Sequence, residues 1–126
     1  MKNFILMVAV LLLSCGGIFA QRKNLDIADE YYQQRKFIEA IEYYQLALNE
    51  KVIVNKYYML SQIARTYSRL FDYENASKYY EQLLVYKEEN ESQNLYEYAQ
   101  VLMNEGKYER AKELFTLYAS RENPRA

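Results

Sequence analysis

Three short segments of this chain align without gaps: Lys36-Phe37-Ile38-Glu39-Ala40, Asp72-Tyr73-Glu74-Asn75-Ala76 and Lys107-Tyr108-Glu109-Arg110-Ala111. Their closing alanines, Ala40, Ala76 and Ala111, lie 36 and then 35 residues apart. Four residues after each alanine stands an aromatic: Tyr44, Tyr80 and Phe115. Twelve residues before each stands another alanine, Ala28, Ala64 and Ala99, followed three residues on by the large Tyr31, Tyr67 and Leu102. A period of this length restricts the chain to stacked copies of one supersecondary unit, because a single copy cannot bury its own apolar face.

The unit is read as a pair of antiparallel helices. The 15 Tyr would suit strands, but they fall at helical spacings among Glu, Lys, Gln and Ala, which favour helix. Only 3 Gly and 1 Pro are present, and Gly16 and Gly17 precede the repeats, so few tight turns are available. Helices are predicted over residues 24–34, 37–50, 56–70, 73–88, 93–105 and 108–121, with Asp72 and Asn94 as helix-start residues. The alanine pairs Ala28/Ala40, Ala64/Ala76 and Ala99/Ala111 place small side chains at each helix crossing, allowing axes to approach to roughly 8–10 Å. The aromatic one turn later fills the space beside it, so one member of each Tyr43-Tyr44 and Tyr79-Tyr80 pair belongs to the core.

These residues resemble the tetratricopeptide repeat, a helix–turn–helix of about 34 residues. Three registers agree over nearly all of residues 22–122, with repeats at about 22–54, 57–90 and 92–124. Two departures stand out. Asn24, Leu60 and Leu95 occupy the position where that family has an aromatic, and the turn glycine survives only as Gly106, with Arg35 and Phe71 replacing it elsewhere. The resemblance implies an all-α fold of three tandem helix–turn–helix repeats in a short right-handed solenoid. It also implies a concave groove lined by the first helix of each repeat. Projected onto this chain, the groove presents Asp29 and Tyr32 with Leu25 and Gln33, then Arg65 and Arg69 with Ser61 and Ser68. Tyr96, Gln100 and Met103, with Asn104, complete it. Tyr and Arg are enriched where proteins bind one another; equally, Arg65 and Arg69 could pair with nearby acids on a wet helix face.

The first twenty residues have a different character. Lys2 precedes an uninterrupted apolar run of ten, Phe4 to Leu13. That run is too short for a span of roughly 20 residues and suits the ~7–15 residue core of an export signal. Two processing sites compete. Cleavage after Ala20 is favoured and makes residues 1–20 a signal peptide. Leu12-Leu13-Ser14-Cys15 resembles a bacterial lipobox and would leave a lipid on Cys15. Either route carries the protein out of the cytoplasm.

Chemistry is sparse. There is no His, and Cys15 is the one Cys, which excludes the usual zinc sites, Ser–His and Cys–His nucleophile pairs and any internal disulfide. No cofactor, metal or catalytic residue is expected, and the chain is read as not an enzyme. A net charge of −1 offers nothing to phosphate backbones or anionic lipid. Nucleic acid is therefore not an expected partner, and membrane association is expected only through a partner or a lipid on Cys15.

A narrower resemblance rests on the signal, on Ala28-Asp29-Glu30-Tyr31-Tyr32 and on Phe37-Ile38-Glu39-Ala40-Ile41-Glu42-Tyr43-Tyr44. With Tyr96-Glu97-Tyr98-Ala99-Gln100, these are similar to the N-terminal repeat regions of OmpA-family envelope proteins in Bacteroidota, some of them tied to type IX secretion and gliding. This implies a protein-interaction scaffold in the periplasm or at the outer membrane. The alternative is a structural element linked to the cell wall, although the wall-binding domain of that group is not in this sequence. Leu114, Phe115, Leu117 and Tyr118 on the last helix have no following helix to cover them, which predicts docking on another chain or a second copy.

Overall fold

Alanine placement and turn geometry account for most of the architecture. A computed structural model describes residues 3, 23–51, 53, 55–86 and 92–124. The expected signal segment, including Cys15, lies outside the described residues apart from Asn3. Among the described residues from 23 onward there are six helices and no strand. Helix α1 covers residues 23–33. It is followed by α2 (Phe37–Leu48), α3 (Lys56–Arg69), α4 (Tyr73–Leu83), α5 (Ser92–Asn104) and α6 (Tyr108–Glu122). The chain divides into two compact units, Met1–Met59 and Leu60–Ala126.

In the first unit, Ala28 of α1 and Ala40 of α2 are fully buried, and Tyr44 and Ala47 join them. The rings of Tyr31 and Tyr43 lie 5.4 Å apart beside this crossing, and Tyr32 meets Phe37 edge-on at 5.5 Å. In the second unit Ala64, Ala76, Ala99 and Ala111 are again fully buried, with Tyr80 at the second crossing. The tyrosine one residue earlier again takes the flanking place, Tyr79 stacking on Tyr67 at 5.7 Å. Phe115 is only half-buried, whereas Leu114 beside it is in the core.

The turn inside each hairpin has the same backbone three times. Residues Arg35, Phe71 and Gly106 adopt φ of 60°, 60° and 77°. Around each, two hydrogen bonds close the preceding helix. Lys36 N–H donates to the Tyr31 carbonyl and Arg35 N–H to that of Tyr32. Asp72 and Phe71 donate likewise to Tyr67 and Ser68, and Lys107 and Gly106 to Leu102 and Met103. This is the paired closure by which a left-handed residue ends a helix. The next residue then starts the following helix at φ −88°, −86° and −86°. Of these three starting residues only Asp72 caps with its side chain, accepting from the Asn75 N–H at 3.2 Å.

Two expectations are corrected. Asn94 is not a helix-start residue: α5 begins at Ser92, and Asn94 is buried on its first turn, accepting hydrogen bonds. Helix α4 ends at Leu83 rather than near residue 88, because Leu84 N–H turns to the Glu81 carbonyl and Tyr86 N–H to that of Leu83. Bonds of that shorter span tighten a last turn and end it.

Non-glycine residues in the left-handed region cost about 1–2 kcal/mol, against a smaller entropic cost for Gly. No neighbouring atom lies within 4 Å of a Cβ added at Gly106, so backbone conformation alone decides a substitution there. Gly106→Ala is expected to lower stability by about 1 kcal/mol, and Phe71→Gly to raise it by up to about 1 kcal/mol. Phe71 is well exposed, so little burial is lost in the exchange. Urea unfolding of both variants beside the parent checks this; shifts of the same sign in the two would contradict it.

Candidate functional site

The polar side chains of the helix faces fall into two groups, those that hold the hairpins and those left to solvent. In the first unit Asp29 belongs to the holding group. Its carboxylate accepts from the Tyr44 hydroxyl, and from the Tyr58 hydroxyl at 3.0 Å to each oxygen. Tyr44 comes from α2 and Tyr58 from the first turn of α3, so one carboxylate on α1 holds both hydroxyls. Tyr32 is half-buried against Phe37, Leu25 is half-buried, and Gln33 is exposed.

In the second unit Arg65 is the hub. Its Nε donates to Glu97 Oε2 at 2.7 Å, one terminal nitrogen to Gln62 at 3.1 Å and the other to Asn94 Oδ1 at 2.9 Å. Ser61 Oγ donates to the same Asn94 oxygen, also at 2.9 Å. Glu97 in turn takes the Tyr80 hydroxyl at 3.0 Å and the Gln93 amide at 2.8 Å. The ion pair is mostly shielded, with side chains 23% and 22% exposed. Shielded from water, these charges attract more strongly than a surface pair and cost more when one partner is removed. Burial first, then the Glu97 carboxylate, pushes the Tyr80 hydroxyl well above the ordinary tyrosine range. Tyr98 is raised in the same way by burial and by its 2.7 Å bond to Glu81. Its ring stacks on that of Tyr80 at 5.5 Å.

Of the residues expected in a groove, Ser61 is therefore buried and bonded to α5 rather than exposed, because α5 covers that side of α3. Arg65 is engaged in the network just described, which is the ion-pairing alternative. Arg69, one turn later, is exposed at the end of α3, and Ser68 is half-buried with its hydroxyl on the Ala64 carbonyl. Tyr96, Gln100 and Met103, spaced by four and three, share one exposed face of α5, and Asn104 is exposed beside them. Tyr96 packs within its own hairpin, 5.6 Å from Phe115 and 5.3 Å from Tyr118 between ring centres. Glu97 and Asn94 were not expected as partners of Arg65, and Asn94 was read only as a helix start. The available signal was a carboxylate and an amide three apart on α5, the second helix after the one that carries Arg65.

An open cleft of about 670 Å³ runs beside α4 and the end of α5 in this unit, with Tyr98 among its lining residues. Its carboxylates are already engaged. Glu74 pairs with Lys78 at 3.0 Å and Glu105 with Lys107 at 3.2 Å, while Glu81 holds Tyr98 and lies 3.6 Å from Arg110. Ser77 Oγ donates to Glu105 as well. Hydrogen bonding to Glu113 raises the Arg110 guanidinium further, so it stays cationic throughout. The cleft presents paired charges rather than a field of one sign.

Repeated hairpins with small residues at each crossing, and a carboxylate clasp beside the first two, define a tandem helical-repeat protein. A family model for the tetratricopeptide repeat matches residues 24–51, 57–90 and 92–122, and the chain belongs to that family. The match is to the repeat alone. No curated protein matches the chain. Repeats of this family generally mediate protein–protein interactions.

Two tests bear on the clasp. Tyr80→Phe removes one of the donors to Glu97 and should cost about 1 kcal/mol at neutral pH. The parent's stability should be level up to the unfolded tyrosine value of about 10 and fall above it, since the folded hydroxyls hold their protons more tightly. Tyr80→Phe should fall less steeply there, as read by urea midpoints on both sides of that pH; an unchanged slope would show that Tyr80 contributes nothing to it. Glu97→Ala leaves Arg65 without its carboxylate and should cost on the order of 2 kcal/mol. Much of that loss should be absent when Arg65 is already Met, which a double-mutant cycle measures.

Proposed function

We propose that this chain is an exported protein-interaction module of the bacterial cell envelope, helping to assemble an outer-membrane or secretion complex. The carrying observation is the division of labour in the second unit. Alanines, Tyr80 and the Arg65–Glu97 pair hold the hairpins, while Tyr96, Gln100 and Met103 stand on one helix face with fewer bonds to make. Arg69 offers a guanidinium at the end of the neighbouring helix. An aromatic, a flexible thioether, an amide and a guanidinium form a surface suited to a peptide or a protein face. The export reading is supported by the run Phe4–Leu13 behind Lys2, and the envelope reading by the resemblance to the repeat regions of OmpA-family proteins.

Capture of cross-linked partners from envelope extracts by the tagged chain tests the proposal. Arg69→Ala and Met103→Ala are chosen because both residues are exposed, so the fold is untouched. Each should reduce capture several-fold, on the scale of ~1 kcal/mol or more for a contributing contact. Partners recovered undiminished by both variants would move the binding surface elsewhere. Recovery of the chain only from cytoplasmic fractions would overturn the export reading. Retention on purified peptidoglycan without any protein partner would favour a structural role at the wall instead.

A further inference from the structure

The outer face of the third hairpin is made from the positions that the second hairpin buries under α5. Ser61 is 3% exposed and its counterpart Tyr96 is 38% exposed. Tyr80 and Leu83 are in the core, while their counterparts Phe115 and Tyr118 are half-buried. Tyr96, Phe115 and Tyr118 touch as one aromatic patch across α5 and α6. The shape that fits this face is a helix presented as α5 is presented to α3 and α4.

The chain carries such a helix in α1. Asn94, Glu97, Tyr98 and Glu105 are side chains through which α5 and the turn after it reach back to the second hairpin. A shift of two repeats places Lys23, Asp26, Ile27 and Gln34 at those positions of α1 and its following turn. Lys23, Asp26 and Gln34 are exposed, and Ile27 is half-buried. Their chemistry complements the outer face of the third hairpin. Where Glu97 meets Arg65, Asp26 would meet Gln100, whose amide can donate to it. Where Tyr98 stacks on Tyr80, Ile27 would lie on Phe115, a ring with no hydroxyl to satisfy. Where Glu105 accepts from Ser77, Gln34 would offer its carbonyl to the Lys112 ammonium. Lys23, at the place of Asn94, would lie by the Tyr96 ring as a cation beside an aromatic face; Asp26 and Gln34 are the acceptors.

We propose that the α5–α6 outer face binds α1 of a second copy of this chain, head to tail, in the register by which α5 covers α3 and α4. The contact is heterologous, joining two different faces of the chain. It is weaker than the internal contact, because an amide–carboxylate bond replaces the Arg65–Glu97 ion pair and nothing replaces the Tyr80 hydroxyl. Tyr96 and Gln100 also belong to the proposed partner surface, so the inference rests on the reading that this face takes protein. The test needs only the purified chain, so its failure is distinct from a failure to capture envelope partners.

Sedimentation velocity of the chain purified from cells with its native N-terminus should show mass rising with concentration. Gln100→Glu sets two carboxylates opposite each other, and Asp26→Lys removes the acceptor. Each should weaken self-association about tenfold or more, the effect of roughly 1.4 kcal/mol. Both positions are exposed, so the helical circular dichroism should not change. Mixing the two variants should restore association, since the new carboxylate of one then faces the new ammonium of the other. Three results would overturn the proposal: a monomer at every concentration, association indifferent to either substitution, or association lost with Gln100→Glu yet untouched by Asp26→Lys. The last would mean a face-to-face contact of the two C-terminal hairpins.

Discussion

Everything in this chain depends on how closely two helices may approach. The six alanines at the crossings are all fully buried, and a larger side chain at any of them would overpack the contact, at a cost typically of about 1–3 kcal/mol. Close approach has an electrostatic consequence. It brings the tyrosine four residues after the second alanine, Tyr44 or Tyr80, into an apolar place where its hydroxyl must find an acceptor. Both find a carboxylate, Asp29 or Glu97, that a further residue also engages. The core and the polar clasp are thus one device: the alanine permits the contact, the ring fills it, and the acid satisfies the ring's hydroxyl.

The clasp is conserved in logic within the chain but not in residue placement. In the first repeat the acid is on the same helix as Ala28, and Tyr58 supplies the second donor. In the second repeat that position is Arg65, and the acid comes from α5 instead. The charge has changed sign at an equivalent position without disturbing the hydroxyl–carboxylate bond. This explains why simple periodicity exposed the alanines and aromatics so plainly and the polar partners hardly at all. Apolar burial is set by spacing along one helix, whereas a salt bridge needs two positions on different helices to agree.

The same contrast runs through what was legible in the sequence. Helix number and order, the Asp72 cap and the buried member of each tyrosine pair follow from residue type and spacing. The left-handed turns were legible only at Gly106, because Arg35 and Phe71 carry no local signal for positive φ. Their conformation is imposed by the paired helix-end hydrogen bonds. Asn94 misled for a related reason. Asn is favoured at helix starts by the same side-chain acceptor that here takes Ser61 and Arg65 one repeat earlier in the chain. The family's groove positions likewise suggested an exposed Ser61 and left Arg65 open between groove and ion pair. Whether a polar residue faces solvent or a neighbouring repeat is decided by packing that no single helix encodes.

The third repeat then shows which constraints are intrinsic to a hairpin and which arise from having a neighbour. Ala99 and Ala111 remain, because the two helices still cross. The hydroxyl is gone: Phe115 replaces tyrosine, and Gln100, neutral, replaces the charged Asp29 and Arg65. A tyrosine or arginine here would need an acid from a following helix, and a half-buried hydroxyl lacking one would carry a desolvation cost of about 1–3 kcal/mol. The substitutions leave a face that is apolar at its centre, bordered by an amide and by Lys112, and that tolerates either water or a docked helix.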